Sequence, residues 1–214
     1  MASVLADHPP IRSVSTVSGN TPYTRGIPEQ SGQTFLEGAV VMLNAGFVKE
    51  WDATVTEPAT STAGILGIAK GGGANLATNG AGAPGAFTGV GAPGTSVTFG
   101  KVQGQSAAVN FTPGAPFSDG RTIVEVAVED TIFEAMFDDA GGSATNATTN
   151  VNMRGKHFGL TKDTTGHWYV DFAKSTQGTN TVVEIIELHP NDGAIQNGRV
   201  WFKFESGIMQ IGGS

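Results

Sequence analysis

The chain of 214 residues contains no cysteine, so neither a disulfide nor a thiolate zinc site contributes to its stability. Charged residues make up only 14% of the chain, compared with about 25% in an average globular protein. So few charges do not suit long exposed helices, whose outer faces need Glu, Lys and Arg. We therefore expect packing, hydrogen bonds and contacts between chains to hold the fold together.

Clusters of positive charge and long apolar runs are also missing. The twelve Lys and Arg residues are scattered, and the formal net charge is −7 at pH 7. Because phosphates and anionic lipids are bound by clustered positive charge, we expect no binding to nucleic acid or to a membrane. No run of about 18 apolar residues exists to form a spanning helix. Residues 1–7 lack the pattern of a secretory signal, so we expect synthesis in the cytoplasm.

Glycine, in contrast, is abundant, with 31 residues, and it accompanies Thr, Ser and Asn between short apolar segments. Short strands joined by turn residues at a spacing of roughly 8–15 residues are typical of a β-barrel or sandwich. We therefore predict an all-β fold of about ten short strands. The segments with strand patterns are 34–43, 47–51, 64–69, 96–103, 107–112, 124–128, 131–137, 158–160, 168–172, 181–188 and 200–204.

The clearest pattern lies in residues 124–137. Valines alternate with Glu125 and Glu129 in its first half, which predicts a half-buried strand with those carboxylates on the solvent face. The parity of the apolar positions reverses after Asp130, where a bulge or tight turn would explain the change. A second turn is predicted at residues 44–46, Asn-Ala-Gly, between two strands.

Two segments do not fit a compact barrel over residues 33–214. Residues 1–32 are polar and carry prolines, which predicts an extended N-terminal arm that either is disordered or lies along a neighbouring subunit. Residues 71–95 are rich in Gly and Ala and predict a long surface loop that contacts a partner. This loop does not end in Gly-Lys-Ser/Thr, so we expect no phosphate-binding loop. The pattern leaves open one barrel with an insertion or two smaller β domains.

Candidate catalytic and metal-binding residues are few. Glu125, Glu129 and Glu134 lie close in sequence, and a hydrolase would need two such carboxylates about 5–10 Å apart in a cleft. His157 and His167 flank a predicted hairpin, but two histidines in such positions more often pack or contact solvent than bind zinc. We expect no metal, no cofactor and no catalytic site, and the carboxylate hydrolase stays open as an alternative.

Aromatic residues suggest a second alternative. Trp168 and Trp201 would form a sugar-stacking platform if both were exposed, as in a carbohydrate-binding tail or spike module. In a chain with only 8% aromatic residues, we expect them instead in the core or at a subunit interface.

Seven segments follow one another as strand patterns, namely 32–41, 64–69, 124–128, 131–135, 157–161, 166–171 and 198–204. Their order along the chain resembles that of head decoration, or cement, proteins of tailed bacteriophages. This resemblance implies a β-barrel on the outer capsid surface, often a homotrimer at three-fold positions, that clamps neighbouring major capsid subunits. It implies a virion structural protein that stabilises the shell and is not an enzyme.

The arm and the Gly-rich loop are the predicted capsid contacts. Both carry apolar or long side chains with no predicted place in the barrel, and an arm joined to a rigid body raises avidity. The predicted contact residues are Ile11, Val14, Val17, Tyr23 and Arg25 in the arm and Phe87 and Val90 in the loop.

Overall fold

The protein is all-β. The computed structural model describes residues 8–28, 35–51, 64–70, 97–98, 110–111, 121–175 and 181–211, and these residues form β-strands and short 3-10 turns without any α-helix. The all-β prediction is confirmed. The strands are β1 (Arg12–Thr16), β2 (Thr24–Pro28), β3 (Val40–Asn44), β4 (Phe47–Glu50), β5 (Gly67–Ala69), β6 (Val97–Thr98), β7 (Asn110–Phe111), β8 (Arg121–Val126), β9 (Thr131–Asp138), β10 (His157–Lys162), β11 (Trp168–Asp171), β12 (Val183–Leu188) and β13 (Arg199–Phe204).

Five of the strands close into a barrel. They follow the order β9-β11-β10-β12-β13, and β13 pairs back with β9. All these pairings are antiparallel except β9–β11, which is parallel. Strand β1 pairs with the first half of β9, and β11 pairs with its end. Closure removes the exposed edges that an open sheet would present.

Alternating apolar residues fill the barrel. Phe202 and Phe204 of β13 are buried, and both rings lie within 6 Å of the ring of Phe133 in β9. Phe137 at the other end of β9 meets Phe158 of β10 edge to face at 5.1 Å. Since edge-to-face pairs stabilise beyond their buried area, these rings fix how the strands pack.

The second sheet has the order β2-β8-β5-β3-β4. Its β3–β4 hairpin turns on Ala45 and Gly46, both with positive φ, as a two-residue type I′ turn requires. The turn predicted at residues 44–46 is confirmed. The other short pair of strands, β6 and β7, is antiparallel.

The change of parity after Asp130 marks the point where the chain leaves one sheet for the other. Strand β8 belongs to the second sheet and β9 to the barrel, and the amide of Thr131 donates to the carbonyl of Val128 across the turn. The predicted turn is confirmed. The predicted solvent face is wrong for Glu125, which is buried because β1 lies over it.

Buried apolar side chains from both sheets form one continuous cluster. The segment before β5 joins the end of the chain, where the amide of Ile65 donates to the carbonyl of Ile208 at 2.6 Å. Met209 pairs with Ile65 as an isolated parallel bridge. The two sheets therefore share a core.

The segment predicted to extend as an arm instead contributes a strand to each sheet. Strand β1 pairs with β9 of the barrel, and β2 pairs with β8 of the second sheet. The prediction of an extended arm, either disordered or lying along a neighbouring subunit, does not fit residues 8–28, because their backbone groups bond to strands of the same chain. The Gly-rich segment 71–95 lies outside the described residues.

Candidate contact surface

The predicted contact residues separate into buried and exposed ones. Ile11 is only 2% exposed and belongs to the core, so its prediction as a contact is wrong. Val14 is half-buried in β1. Phe87 and Val90 lie outside the described residues.

Val17, Tyr23 and Arg25 are exposed, and we call them the contact surface. Val17 is 65% exposed and Tyr23 53% exposed. The amide of Val17 donates to the carbonyl of Asp130 at 2.8 Å, and the carbonyl of Tyr23 accepts from the amide of Val126 at 2.9 Å. The backbone of Tyr23 is thus attached to the end of β8, and the backbone of Val17 to the turn between β8 and β9.

Hydrogen bonds fix the turn that displays Val17. The hydroxyl of Thr16 donates to the carbonyl of Asn20 at 2.7 Å, and the amide of Ser18 donates to Asp130 Oδ1 at 2.8 Å. Gly19 has a φ of 77°, which L side chains rarely adopt. A side chain held on such a turn loses little further freedom when a partner covers it.

Glu134, one of the three candidate catalytic carboxylates, lines a cleft in the described part of the chain. The cleft, of about 270 Å³, is also lined by Arg12, Arg199 and Glu37. Burial alone would raise the pKa of Glu134, but hydrogen bonds from Trp201 and Arg12 and the nearby charges of Arg12 and Arg199 lower it. A carboxylate held in the ionised form suits a structural ion pair and does not suit a general acid.

The other two candidate carboxylates have different surroundings. Glu125 Oε2 accepts from the amide of Ser13 at 2.7 Å, and its Oε1 lies 3.0 Å from Lys70 Nζ. Glu129 is exposed in the turn before β9. Glu125 therefore ties β1 to the second sheet.

Trp168 and Trp201 do not form the exposed aromatic platform that the carbohydrate-binding alternative requires. Trp168 is buried, and its indole N–H donates to Glu50 Oε1 at 3.1 Å. Trp201 is half-buried, and its N–H donates to Glu134 Oε2 at 3.0 Å. Burial of Trp168 agrees with the expected core role.

The two histidines of the predicted hairpin do not face each other. His157 Nδ1 lies 2.9 Å from Glu205 Oε1, and His167 Nδ1 lies 3.0 Å from the hydroxyl of Thr165. Within the part of the chain that the structure describes, no group of three or more His, Asp or Glu residues is arranged to hold a metal ion. None of the helical segments there has the length and hydropathy to cross a membrane.

A buried polar cluster around His8 could not be recognised in the sequence. His8 is 1% exposed, and its ring stacks on Tyr169 with 4.2 Å between centroids. Its Nδ1 lies 2.9 Å from Asp163 and its Nε2 lies 3.1 Å from Asp138. The two carboxylate partners are at least 130 residues away along the chain, so no short sequence motif indicates these contacts.

Comparison with known proteins gives no match: no family model, no curated protein and no solved structure is significantly similar to this chain. The fold defines the class, an all-β protein with a closed five-stranded barrel and a second five-stranded sheet.

Proposed function

We propose that this chain is a structural protein of a tailed-bacteriophage virion, a decoration protein that binds the outer surface of the capsid and clamps neighbouring major capsid subunits. The observation that carries the proposal is the display of Val17 and Tyr23 on fixed backbone next to a closed barrel. Tyrosine is enriched among the residues that contribute most to protein interfaces, because it buries a large apolar area with a polar tip.

The surroundings of two of the candidate carboxylates favour a structural role for these side chains. Glu125 and Glu134 are held by Lys70, Arg12 and backbone or indole N–H groups. Side chains engaged in this way hold strands together, which favours a structural role for both carboxylates. Net charge and composition favour a protein partner over nucleic acid.

Several weak contacts per assembly stabilise a shell better than a single strong contact does. A homotrimer would present three copies of the contact surface, and binding by one copy raises the effective concentration of the others. The proposal therefore includes self-association, which sedimentation equilibrium of the purified protein measures directly.

Binding to capsids that lack the protein tests the proposal. We expect Val17→Asp and Tyr23→Ser each to lower the affinity by about tenfold or more, because each removes exposed apolar area from the interface. Occupancy is measured by cosedimentation with bare capsids over a range of protein concentrations.

Val151 provides a matched control, since it is 66% exposed on the 3-10 turn at residues 151–153, which contacts β12. Val151→Asp should leave capsid occupancy unchanged. Absence of binding by the unaltered protein would reject the proposal. Equal losses from Val17→Asp and Val151→Asp would reject the contact surface.

A further inference from the structure

Strand β10 and two short 3-10 turns line a cleft of about 380 Å³, which we call the β10 cleft. The turns are Val151–Met153 and Phe172–Lys174, and residues on either side of them complete the lining. The volume lies within the range of about 300–1,000 Å³ that is usual for sites that bind small molecules. The side chains of the cleft therefore decide which ligand it fits.

The floor of the β10 cleft is apolar and is fixed by packing in the barrel. Met153 and Phe158 are buried, and Phe172 is half-buried. The ring centroid of Phe172 lies 6.2 Å from those of Phe158 and Phe137, so two neighbouring rings hold it in place. The part of Phe172 that stays exposed supplies an apolar surface that a ligand can cover.

Two polar side chains of the cleft are oriented by contacts of their own. His157 Nδ1 lies 2.9 Å from Glu205 Oε1, which fixes the position of the imidazole ring. Asn150 Oδ1 accepts from the amide of Asn152 at 3.0 Å, so the amide group of Asn150 is also held. Groups oriented in advance lose little freedom when a ligand binds to them.

Lys156 and Ser175 complete the polar lining, and both are exposed. Neither side chain forms a hydrogen bond or an ion pair with any other residue that the structure describes. The cleft beside Glu134 differs in this respect, because Arg12 and Arg199 are engaged there in ion pairs. A ligand in the β10 cleft replaces water on these two side chains and breaks no ion pair of theirs.

The mixture of donors and acceptors favours a ligand with several hydroxyl groups. The amide nitrogen of Asn150 and the ammonium group of Lys156 only donate, whereas the hydroxyl of Ser175 both donates and accepts. A hydroxyl group can pair with all three, and with the imidazole of His157 in either tautomer. An apolar ligand would remove water from these groups without replacing its hydrogen bonds.

We propose that the β10 cleft binds a pyranose ring. A pyranose carries hydroxyl groups around its rim and C–H groups on its faces, so one face covers Phe172 while hydroxyls bond to Asn150, His157 and Ser175. This site uses none of the aromatic residues from which the sequence suggested a sugar platform. The proposal assigns binding to the cleft and no reaction.

Titration of the full chain with methyl glycosides, followed in proton–nitrogen correlation spectra, tests the proposal. The probes are the methyl glycosides of glucose, galactose, mannose, N-acetylglucosamine and glucuronic acid, each up to about 20 mM. We expect at least one of them to bind with a dissociation constant of about 1 mM or lower. The amide shifts that change should be those of residues 150–158 and 172–175. Glycerol, which has hydroxyl groups but no ring face, should bind at least about tenfold more weakly.

Substitutions of exposed residues in the cleft should weaken binding without affecting the fold. Ser175→Ala and Lys156→Ala each remove one hydrogen-bonding group, so we expect each dissociation constant to rise about threefold or more. Phe172→Ala removes the apolar surface and should raise it about tenfold. Lys49→Ala, in β4 of the second sheet, is the control and should bind like the unaltered protein.

The proposal is overturned if none of the glycosides shifts the amides of the cleft, or if the shifts lie only elsewhere. An unchanged dissociation constant in both Ser175→Ala and Lys156→Ala would also overturn it, and these two variants decide if Phe172→Ala does not fold. Capsids take no part in these measurements, so sugar binding and the proposed function fail or succeed separately.

Discussion

The side chain of Gln210 takes the place of a neighbouring strand for Leu43. Its Oε1 accepts from the amide of Leu43 at 2.5 Å, and its Nε2 donates to the carbonyl of Leu43 at 2.9 Å. Leu43 lies in β3 of the second sheet, whereas Gln210 follows β13 of the barrel. One amide side chain thus satisfies both backbone groups of a residue and joins the last segment of the chain to the other sheet.

Gln210→Ala should lower the free energy of unfolding by about 1–3 kcal/mol, since two hydrogen bonds of about 0.5–1.5 kcal/mol each are lost. Urea denaturation, monitored by tryptophan fluorescence, measures the change in the free energy of unfolding. Gln196→Ala, at an exposed position, is the control and should stay within about 0.5 kcal/mol of the unaltered protein. An unchanged midpoint for Gln210→Ala would show that water replaces the amide at no cost.

Strands that place one face in the core could be predicted from the sequence. Val200, Phe202 and Phe204 are buried and the residues between them are half-buried, so a period of two is visible in the residue types. The turn at Ala45 and Gly46 was recognisable because its positive φ values restrict the residues that fit. In β13 the alternation of residue types, and in this turn the required positive φ, can both be recognised from a few neighbouring residues.

Strand β1, which has no apolar face of its own, could not be predicted. The sequence of β1, Arg-Ser-Val-Ser-Thr, has no apolar face, and its stability comes from backbone bonds to β9, more than 100 residues away. Burial of Glu125 depends on Ser13 of that same strand. Because the sequence predicts an arm in place of β1, it predicts neither the burial of Glu125 on β8 nor the burial of His8.

Gly67 provides a sharp test of how closely β5 approaches β8. A Cβ added there would lie 2.1 Å from the carbonyl oxygen of Glu125. Because that atom belongs to the backbone of a central strand, it cannot move aside without breaking the sheet. Gly67→Ala should therefore cost about 3 kcal/mol or more, or prevent folding.

Gly26→Ala is the matched control for Gly67→Ala, since it also lies within a strand and a Cβ there meets nothing within 4 Å. We expect its melting temperature to stay within about 4 °C of the unaltered protein, which corresponds to less than about 1 kcal/mol. Equal melting temperatures for both variants would contradict the close approach of β5 and β8.

Acid should weaken the ion pair between Asp192 and Arg199. The guanidinium and backbone amide of Arg199 donate three hydrogen bonds of 2.8–2.9 Å to Asp192. Hydrogen bonds from the Arg199 side chain, chiefly, lower the pKa of Asp192 to about 2, against the effect of burial. Because the folded value lies below the usual 3.8, the pair stabilises the protein above pH 3.8, and this contribution is lost as the pH falls towards 2.

Asp192→Asn removes that titration, so its stability should fall less between pH 5 and pH 2 than that of the unaltered protein. Urea denaturation at several pH values measures the two slopes. Glu187→Gln, which removes the exposed ion pair with Arg154, should keep the slope of the unaltered protein, because solvent screens exposed pairs. Parallel slopes for Asp192→Asn and the unaltered protein would mean that the unfolded chain holds the Asp192 proton as weakly as the folded one.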